Sequence, residues 1–284
     1  MNVLVLGASG MLGSAVFRVL AHSPGDGVRA YGTLRDETFR AYFDEGLKER
    51  LVLVGDLLDP LELTRLIKQV RPDVVINCVA LGRPALSDPM AWMKVYATLP
   101  RRLAFLLEPL DIRLIHISSD GVFSGRQGGY TESDMPDADD LYGMTKQLGE
   151  VTGPHALSLR TSIIGHELRG RSGLLEWFLA QEGECRCYAK SRFSGLPTVV
   201  LGRILRDVIL PRSDLQGVYH VAAPPISKFD LLGLVAQVYG KAISMVPVQE
   251  PCIDRSLNAD RFYRATGYRS PAWPELVRTM HENH

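Results

Sequence analysis

Cysteine is scarce in this chain. Four in 284 residues (Cys78, Cys185, Cys187 and Cys252) are too few for a disulfide framework, and Cys185-x-Cys187 is neither a redox C-x-x-C pair nor half of a zinc site with a partner pair. Such usage fits a reducing cytoplasm. No window approaches the ~20 apolar residues that a membrane span needs. The run from Asn2 to Leu6 is too short, and lacks the basic start, for a signal peptide. No membrane partner is therefore expected. An excess of one charge is missing as well: Lys+Arg and Asp+Glu are both 32, so no overall field exists to hold nucleic acid. An anionic ligand must be met by local groups. The seven histidines form no H-E-x-x-H and none has a near Cys or acid at ligand spacing, so no metal is expected.

What is present belongs to an ordinary globular protein, with 46% hydrophobic and 23% charged residues. At about 150 residues per domain, the length allows one large α/β domain or a nucleotide-binding domain with a smaller lobe. The first 160 or so residues alternate short β-branched runs with longer helical patterns, as parallel βαβ units do. Strands are expected at Val3 to Leu6, Val28 to Thr33, Leu51 to Val54, Val74 to Val79, Ile112 to Ser118 and Ala156 to Arg160. Helices are expected at Met11 to Ala21, Pro60 to Val70, Pro89 to Leu107, Leu141 to Thr152, Leu174 to Gln181 and Lys228 to Tyr239. Asp59 and Asp88 each precede a proline and read as N-caps. The fold class implied is α/β, a doubly wound parallel sheet whose alternation loosens beyond Gly165 into a smaller lobe. The acidic stretch Asp134 to Asp140 reads as a solvated loop.

Directly after the first strand stands Gly7-Ala8-Ser9-Gly10-Met11-Leu12-Gly13, a G-x-x-G-x-x-G turn that opens a helix. Gly7 allows the tight turn, Gly10 lets the backbone approach a pyrophosphate, and Gly13 lets helix and sheet pack closely. No Gly-Lys-Ser/Thr follows, which excludes a Walker loop. A dinucleotide is the expected ligand. At the end of the second strand stands Thr33-Leu34-Arg35, where a NAD-specific fold would place an acid for the ribose diol. Arg35 suits a 2′-phosphate, while Asp36 and Glu37 compete if the strand ends later. NADP(H) is accordingly preferred over NAD(H). Asp56, with Leu57, follows the third strand, either at the adenine edge or as a turn residue.

Tyr142 and Lys146 lie one helical turn apart and share a face. Of ten tyrosines only Tyr142 has lysine at the fourth following position. The preceding strand ends at Ser118-Ser119, on the carboxyl edge where open α/β sheets bind ligands. A phenol ionises at about pH 10, and a neighbouring ammonium favours its ionised form, which would make Tyr142 a working general acid or base. Ser119 is placed to hydrogen-bond the reacting oxygen.

On these residues the chain resembles the extended short-chain dehydrogenase/reductase family, and its segments are most similar to dTDP-4-dehydrorhamnose reductases. The matching pieces are Gly7 to Gly13, Pro72 to Cys78, His116 to Phe123, Tyr142-Gly143-Met144-Thr145-Lys146 with Gly149-Glu150, Gly195 to Thr198, and Tyr219 to Val221. The resemblance implies a Rossmann domain over 1–165 and a mainly substrate-binding lobe over 166–284, with a segment near 193–222 returning to the sheet. It implies reduction of a nucleotide-linked 4-keto-6-deoxysugar for surface polysaccharide synthesis. Tyr142 would protonate the alkoxide, Ser119 would steady it, and Lys146 would hold the nicotinamide ribose and lower the phenol pKa. Cys78, Val79 and Ala80 would line the cofactor, and Asp120, Gly121 and Arg255 the substrate. Arg160, Lys190, Arg192 and Arg261 are further candidates for its diphosphate. The resemblance allows a homodimer.

Three positions depart from the reductase pattern. Gly121 stands for a usual Tyr, which leaves the sugar wall more open or differently filled. It also cannot act as the acid or base that related dehydratases carry there. Tyr96 stands for a usual Asn, which removes a polar support or proton relay, and Val79 stands for a usual Ala. Two alternatives to the reductase stay open: a non-catalytic NADP-binding regulatory subunit, as accompanies methionine adenosyltransferase, and a nucleotide-sugar epimerase.

Overall fold

The computed structural model describes residues 1–22, 27–81 and 88–283. Six strands follow one another in the first 160 residues: β1 (Asn2–Leu6), β2 (Arg29–Leu34), β3 (Leu51–Leu53), β4 (Val74–Asn77), β5 (Arg113–Ile117) and β6 (Ala156–Arg160). A seventh, Gly217–His220, joins them from the segment expected to return. The order across the sheet runs Gly217–His220, β6, β5, β4, β1, β2, β3, and every pairing is parallel. The order reverses between β1 and β4, so their carboxyl ends open onto a crevice.

Both faces of the sheet are covered, which explains the near-continuous apolar strands. Along β1, Val3 and Val5 enter one core with Phe17 and Leu201, while Leu4 and Leu6 enter the other with Leu66 and Leu103. The helices Met11–Ala21 and Pro60–Val70 begin and end as expected, and Asp59 accepts from the Leu61 N–H at 2.9 Å as its N-cap.

The structure differs from the sequence expectation mainly at the ends and interruptions of elements, where a proline or a bond within a few residues decides. The helix expected from Pro89 to Leu107 is three pieces: Pro89–Trp92, a wide π-type turn Met93–Thr98, and Leu99–Leu107. Pro100 has no N–H to give the Tyr96 carbonyl and its ring crowds that turn, so the helix widens there. Strand β4 stops at Asn77, whose side-chain oxygen accepts from the Val79 N–H at 3.2 Å and draws the chain out of the ladder. The helix carrying Tyr142 ends at Leu148 rather than Thr152, because Val151 leaves to bond Ser158.

Beyond β6, the helix Thr198–Ile204 packs on Met11–Ala21, and the parallel pair Glu184–Tyr188 and Ser244–Val248 lies against the helix Lys228–Val238. Helices Asp260–Thr266 and Trp273–Glu282 had no sequence expectation. Trp273 is buried and gives its indole N–H to the Pro224 carbonyl at 2.7 Å, which makes it a packing residue.

Candidate active site

The turn after β1 is built to leave room for an anion. Gly7 adopts φ +81°, and a Cβ on Gly13 would stand 2.1 Å from the Gly7 carbonyl oxygen, so helix and turn touch only because both are glycine. Gly10 caps the helix Met11–Ala21 without a side-chain bond, and no acid occupies its first turn. The helix N-terminus therefore keeps its N–H groups for a phosphate, with Ser9, Met11 and Leu12 around it. Thr33 at the end of β2 accepts from the Gly7 and Ala8 N–H groups, both at 2.9 Å, and fixes the turn against the strand. On its other side Gly7 abuts the backbone of Cys78 and Val79, with Ala80 next in the chain. These residues fit a dinucleotide pyrophosphate.

Arg35 is exposed at the end of β2. Asp36 turns away, accepting from the Thr38 N–H at 2.9 Å to cap the 3-10 turn Glu37–Tyr42, a bond that holds its carboxyl below the usual range. Arg169, which carried no sequence signal, reaches this loop from the C-terminal half. Its guanidinium lies 4.7 Å from the Phe39 ring centre and 3.3 Å from the Thr38 hydroxyl. Asp56 accepts from the Leu58 N–H at 2.8 Å, the bond of a turn residue, and Leu57 is half-buried beside it.

Ser119, Tyr142 and Lys146 come from two elements that glycine lets touch. Ser119 is the N-cap of the 3-10 turn Asp120–Val122, and its hydroxyl oxygen accepts from the Gly121 N–H at 3.0 Å. The helix Leu141–Leu148 starts at Asp140, whose carboxylate accepts from the Gly143 N–H at 2.7 Å. A Cβ on Gly143 would lie 2.1 Å from the Gly121 carbonyl oxygen, so only glycine permits this approach. The Tyr142 ring thereby reaches Gly121 beside the Ser119 hydroxyl, which favours the ionised phenol. The space at Gly121 is filled by that ring, not opened. Trp92 and Tyr96 meet the Tyr142 ring edge-on, with centroids 5.8 and 5.5 Å away.

Lys146 is buried, and its ammonium donates to the Ile117 carbonyl at 3.1 Å while lying 4.7 Å from the Tyr96 ring centre. Burial lowers its pKa to about 8, against the pull of Cys78 and Glu150. Tyr96 keeps a polar role despite replacing Asn: its hydroxyl accepts from the Leu81 N–H at 3.1 Å. The expected lowering of the phenol pKa by Lys146 is not what the surroundings produce. Burial pushes Tyr142 above 10, Ser119 opposes this, and Asp120, Tyr96 and Asp140 add to it. In this state the phenol is a neutral proton donor.

Asp120 sits beside them. Its carboxylate accepts from the Ser119 hydroxyl at 3.1 Å, and burial raises its pKa to about 6 against the Ser119 bond, Arg255, a Ser162 bond and Lys228. Arg255 reaches Asp140 at 3.3 Å, and its buried Nε has no partner among the described residues. That orphan donor suits an anionic ligand. Lys228, which sequence reasoning missed, faces the same carboxylate, and burial lowers its pKa. The remaining basic candidates are committed or exposed. Arg160 is buried in an ion pair with Glu150, at 2.7 and 2.8 Å, because an unpaired guanidinium there would be costly. Arg261 lies over Tyr219, and Lys190 and Arg192 are exposed. His116 is a core residue only half satisfied: Nδ1 meets Asn77 at 3.2 Å, and buried Nε2 has no partner among the described residues.

Residues 1–261 match the family described as "RmlD substrate binding domain". The chain is 30% identical to dTDP-4-keto-6-deoxy-D-glucose reductase of Streptomyces niveus, over 97% of this chain and 91% of that protein. It is 27% identical to methionine adenosyltransferase 2 subunit beta of Danio rerio, over 88% and 77% respectively. The match to the rat protein of that name spans only 41% of its length. Among solved structures, dTDP-4-dehydrorhamnose reductase of Bacillus anthracis in complex with NADP superposes with a TM-score of 0.79 at 20% identity, covering 99% of this chain and 98% of that one.

Proposed function

The chain belongs to the RmlD substrate-binding domain family of extended short-chain dehydrogenase/reductases, and from that premise we propose that it reduces a nucleotide-linked 4-keto-6-deoxysugar with NADPH. As a member it is an NAD(P)-dependent oxidoreductase. The observation that carries the finer reading is the Tyr142 ring and the Ser119 hydroxyl meeting at Gly121 on the carboxyl edge of the sheet, with burial holding the phenol neutral.

A bound nicotinamide supplies the hydride. The turn Gly7 to Gly13 would hold the pyrophosphate, Arg35 the 2′-phosphate, and Lys146 the ribose hydroxyls beside the nicotinamide. Engagement of Asp36 with Thr38 supports NADPH over NADH, since that carboxylate is then not offered to a ribose diol. Ser119 and Tyr142 converge on the oxygen of the sugar carbonyl, and Tyr142 gives it a proton. Arg255, with its orphan Nε, and Lys228 supply the local positive charge that a diphosphate needs in a chain of zero net charge. The sugar product would serve surface polysaccharide synthesis.

The likeness to methionine adenosyltransferase beta subunits favours a second reading, a non-catalytic NADP-binding subunit. One assay separates them. NADPH absorbance is followed with dTDP- and UDP-linked 4-keto-6-deoxysugars, using Tyr142→Phe as control. The reductase reading expects turnover and a loss of roughly 10²- to 10⁴-fold in the variant. Cofactor binding without turnover supports the subunit.

A further inference from the structure

Residues 167–173, which follow β6 in the chain, fold back onto the glycine turn and onto the loop after β2. Glu167 braces this segment: its carboxylate accepts from the Ser172 N–H at 2.7 Å, the Ser172 hydroxyl at 2.6 Å and the Gly173 N–H at 3.2 Å. A Cβ on Gly173 would stand 2.5 Å from Met11 Cε, so the segment touches the first residue of the helix whose N-terminus faces the pyrophosphate. From the same braced segment Arg169 crosses to the loop after β2. Its Nε donates to the Tyr42 hydroxyl at 3.4 Å and a terminal nitrogen to the Thr38 hydroxyl at 3.3 Å, with the Phe39 and Tyr42 ring centres 4.7 and 5.8 Å from its Cζ. Neutral hydroxyls and ring faces fix the plane of the guanidinium without neutralising its charge.

Four arginines border this loop, and two of them are committed. Arg40 is paired with Glu37, and Arg18 gives the Tyr42 carbonyl a bond of 2.7 Å. The ion pairs of the described residues include neither Arg35 nor Arg169. Both of these guanidinia act on the Asp36 carboxyl, which brings them to one corner of the molecule, and Asp36 itself is turned to the Thr38 N–H.

We propose that Arg169 is the second arginine of the 2′-phosphate site, closing from the C-terminal half on the group that Arg35 meets from the end of β2, and that it sets the preference for NADPH over NADH. This rests on the NADPH reading above. A phosphate monoester brings roughly −1.5 to −2 of charge and three acceptor oxygens. One guanidinium supplies a single positive charge and a two-pronged fork, so a second is needed to bring the site near neutrality and to reach the third oxygen. Arg169 has five N–H donors, of which Tyr42 and Thr38 engage two among the described residues. NADH, with a ribose hydroxyl in place of the phosphate, makes no use of this charge.

The test is calorimetric titration of wild type, Arg169→Gln and Arg35→Ala with 2′,5′-ADP and 5′-AMP, which differ only in the 2′-phosphate, and then with NADPH and NADH. Both arginines are exposed, so neither change disturbs the core. Glutamine keeps a donor for Thr38 or Tyr42 but removes the charge and the fork. Arg169→Gln should weaken 2′,5′-ADP and NADPH about 10-fold and move 5′-AMP and NADH by less than about twofold. Added salt should erode the preference for 2′,5′-ADP more in wild type than in Arg169→Gln, because one screened charge is already gone. Unchanged binding of 2′,5′-ADP, or equal losses for both members of each pair, overturns the assignment of Arg169. A preference that survives in Arg169→Gln and vanishes in Arg35→Ala removes Arg169 alone, whereas wild type that does not distinguish 2′,5′-ADP from 5′-AMP removes the NADPH reading and this inference with it.

Discussion

The ring of Tyr142 occupies the space beside Gly121, where a Cβ would stand 2.8 Å from Cε1 of that ring and 3.2 Å from the Ser119 hydroxyl. Trp92 and Tyr96 close the other side of the ring, so it cannot retreat without unpacking them. Gly121→Ala should therefore push the phenol off its line to the substrate. An error of about 1 Å in such a group costs up to ~100-fold. We expect kcat to drop about 10- to 100-fold, with strain of about 1–3 kcal/mol in a urea melt. A variant with full kcat would mean that the ring position has no catalytic consequence.

The parallel order of the sheet, the glycine turn and the Tyr142–Lys146 spacing are legible in the chain because each is a local pattern: apolar runs, glycine offsets, one helical turn. What escaped depends on burial and on partners far along the sequence. Arg160 looks like any other arginine until Glu150 is folded against it, and Lys228 gains meaning only when the C-terminal half brings it to Asp120. The widening before Pro100 in the helix containing Tyr96 is the exception, since a proline that cannot bond the carbonyl four residues back stands in the sequence itself. The charge state of Tyr142 is the sharpest case. Spacing suggests a lysine-activated phenol, but desolvation and three neighbours outweigh an ammonium that is already committed to Ile117 and the Tyr96 ring.

On the proposed reading, cofactor choice is made at the end of β2. Asp36 is tied to Thr38, and Arg35 is exposed beside it. A charge-assisted hydrogen bond contributes about 1.5–3 kcal/mol, so Arg35→Ala should weaken NADPH about 10- to 100-fold and leave NADH nearly unchanged. Thermal shifts at matched concentrations read this directly, because a ligand that binds only the folded state raises the melting temperature by mass action. Equal losses for both dinucleotides would place the 2′-phosphate elsewhere.

Glu150 holds the exit of β6 to the helix before it. It takes two bonds from Arg160, at 2.7 and 2.8 Å, and one from the Ser118 hydroxyl at 2.8 Å. Glu150→Gln leaves a buried guanidinium without its counter-charge, which costs about 3–5 kcal/mol. The denaturation midpoint should fall by the corresponding amount with an unchanged slope. A shift below about 1 kcal/mol would show that solvent reaches Arg160.

Asp120 should trade stability for its position in the site. Its folded pKa, about 6, lies above the ordinary value of 3.8, chiefly through burial. The acid form is thus the one the fold prefers. That preference contributes fully below pH 3.8 and is lost as the pH rises through about 6, beyond which the folded protein carries the cost of a desolvated charge. Asp120→Asn keeps a neutral side chain at every pH. It should leave the melting temperature little changed near pH 4 and raise it at pH 8, by a free energy of about 1–3 kcal/mol at 1.36 kcal/mol per pKa unit. The cations Lys228 and Arg255 oppose this gain, since the variant deprives them of a partner. A melting temperature lower than wild type at pH 8 would mean that their attraction exceeds the desolvation of the carboxylate, and that Asp120 is ionised throughout the working range.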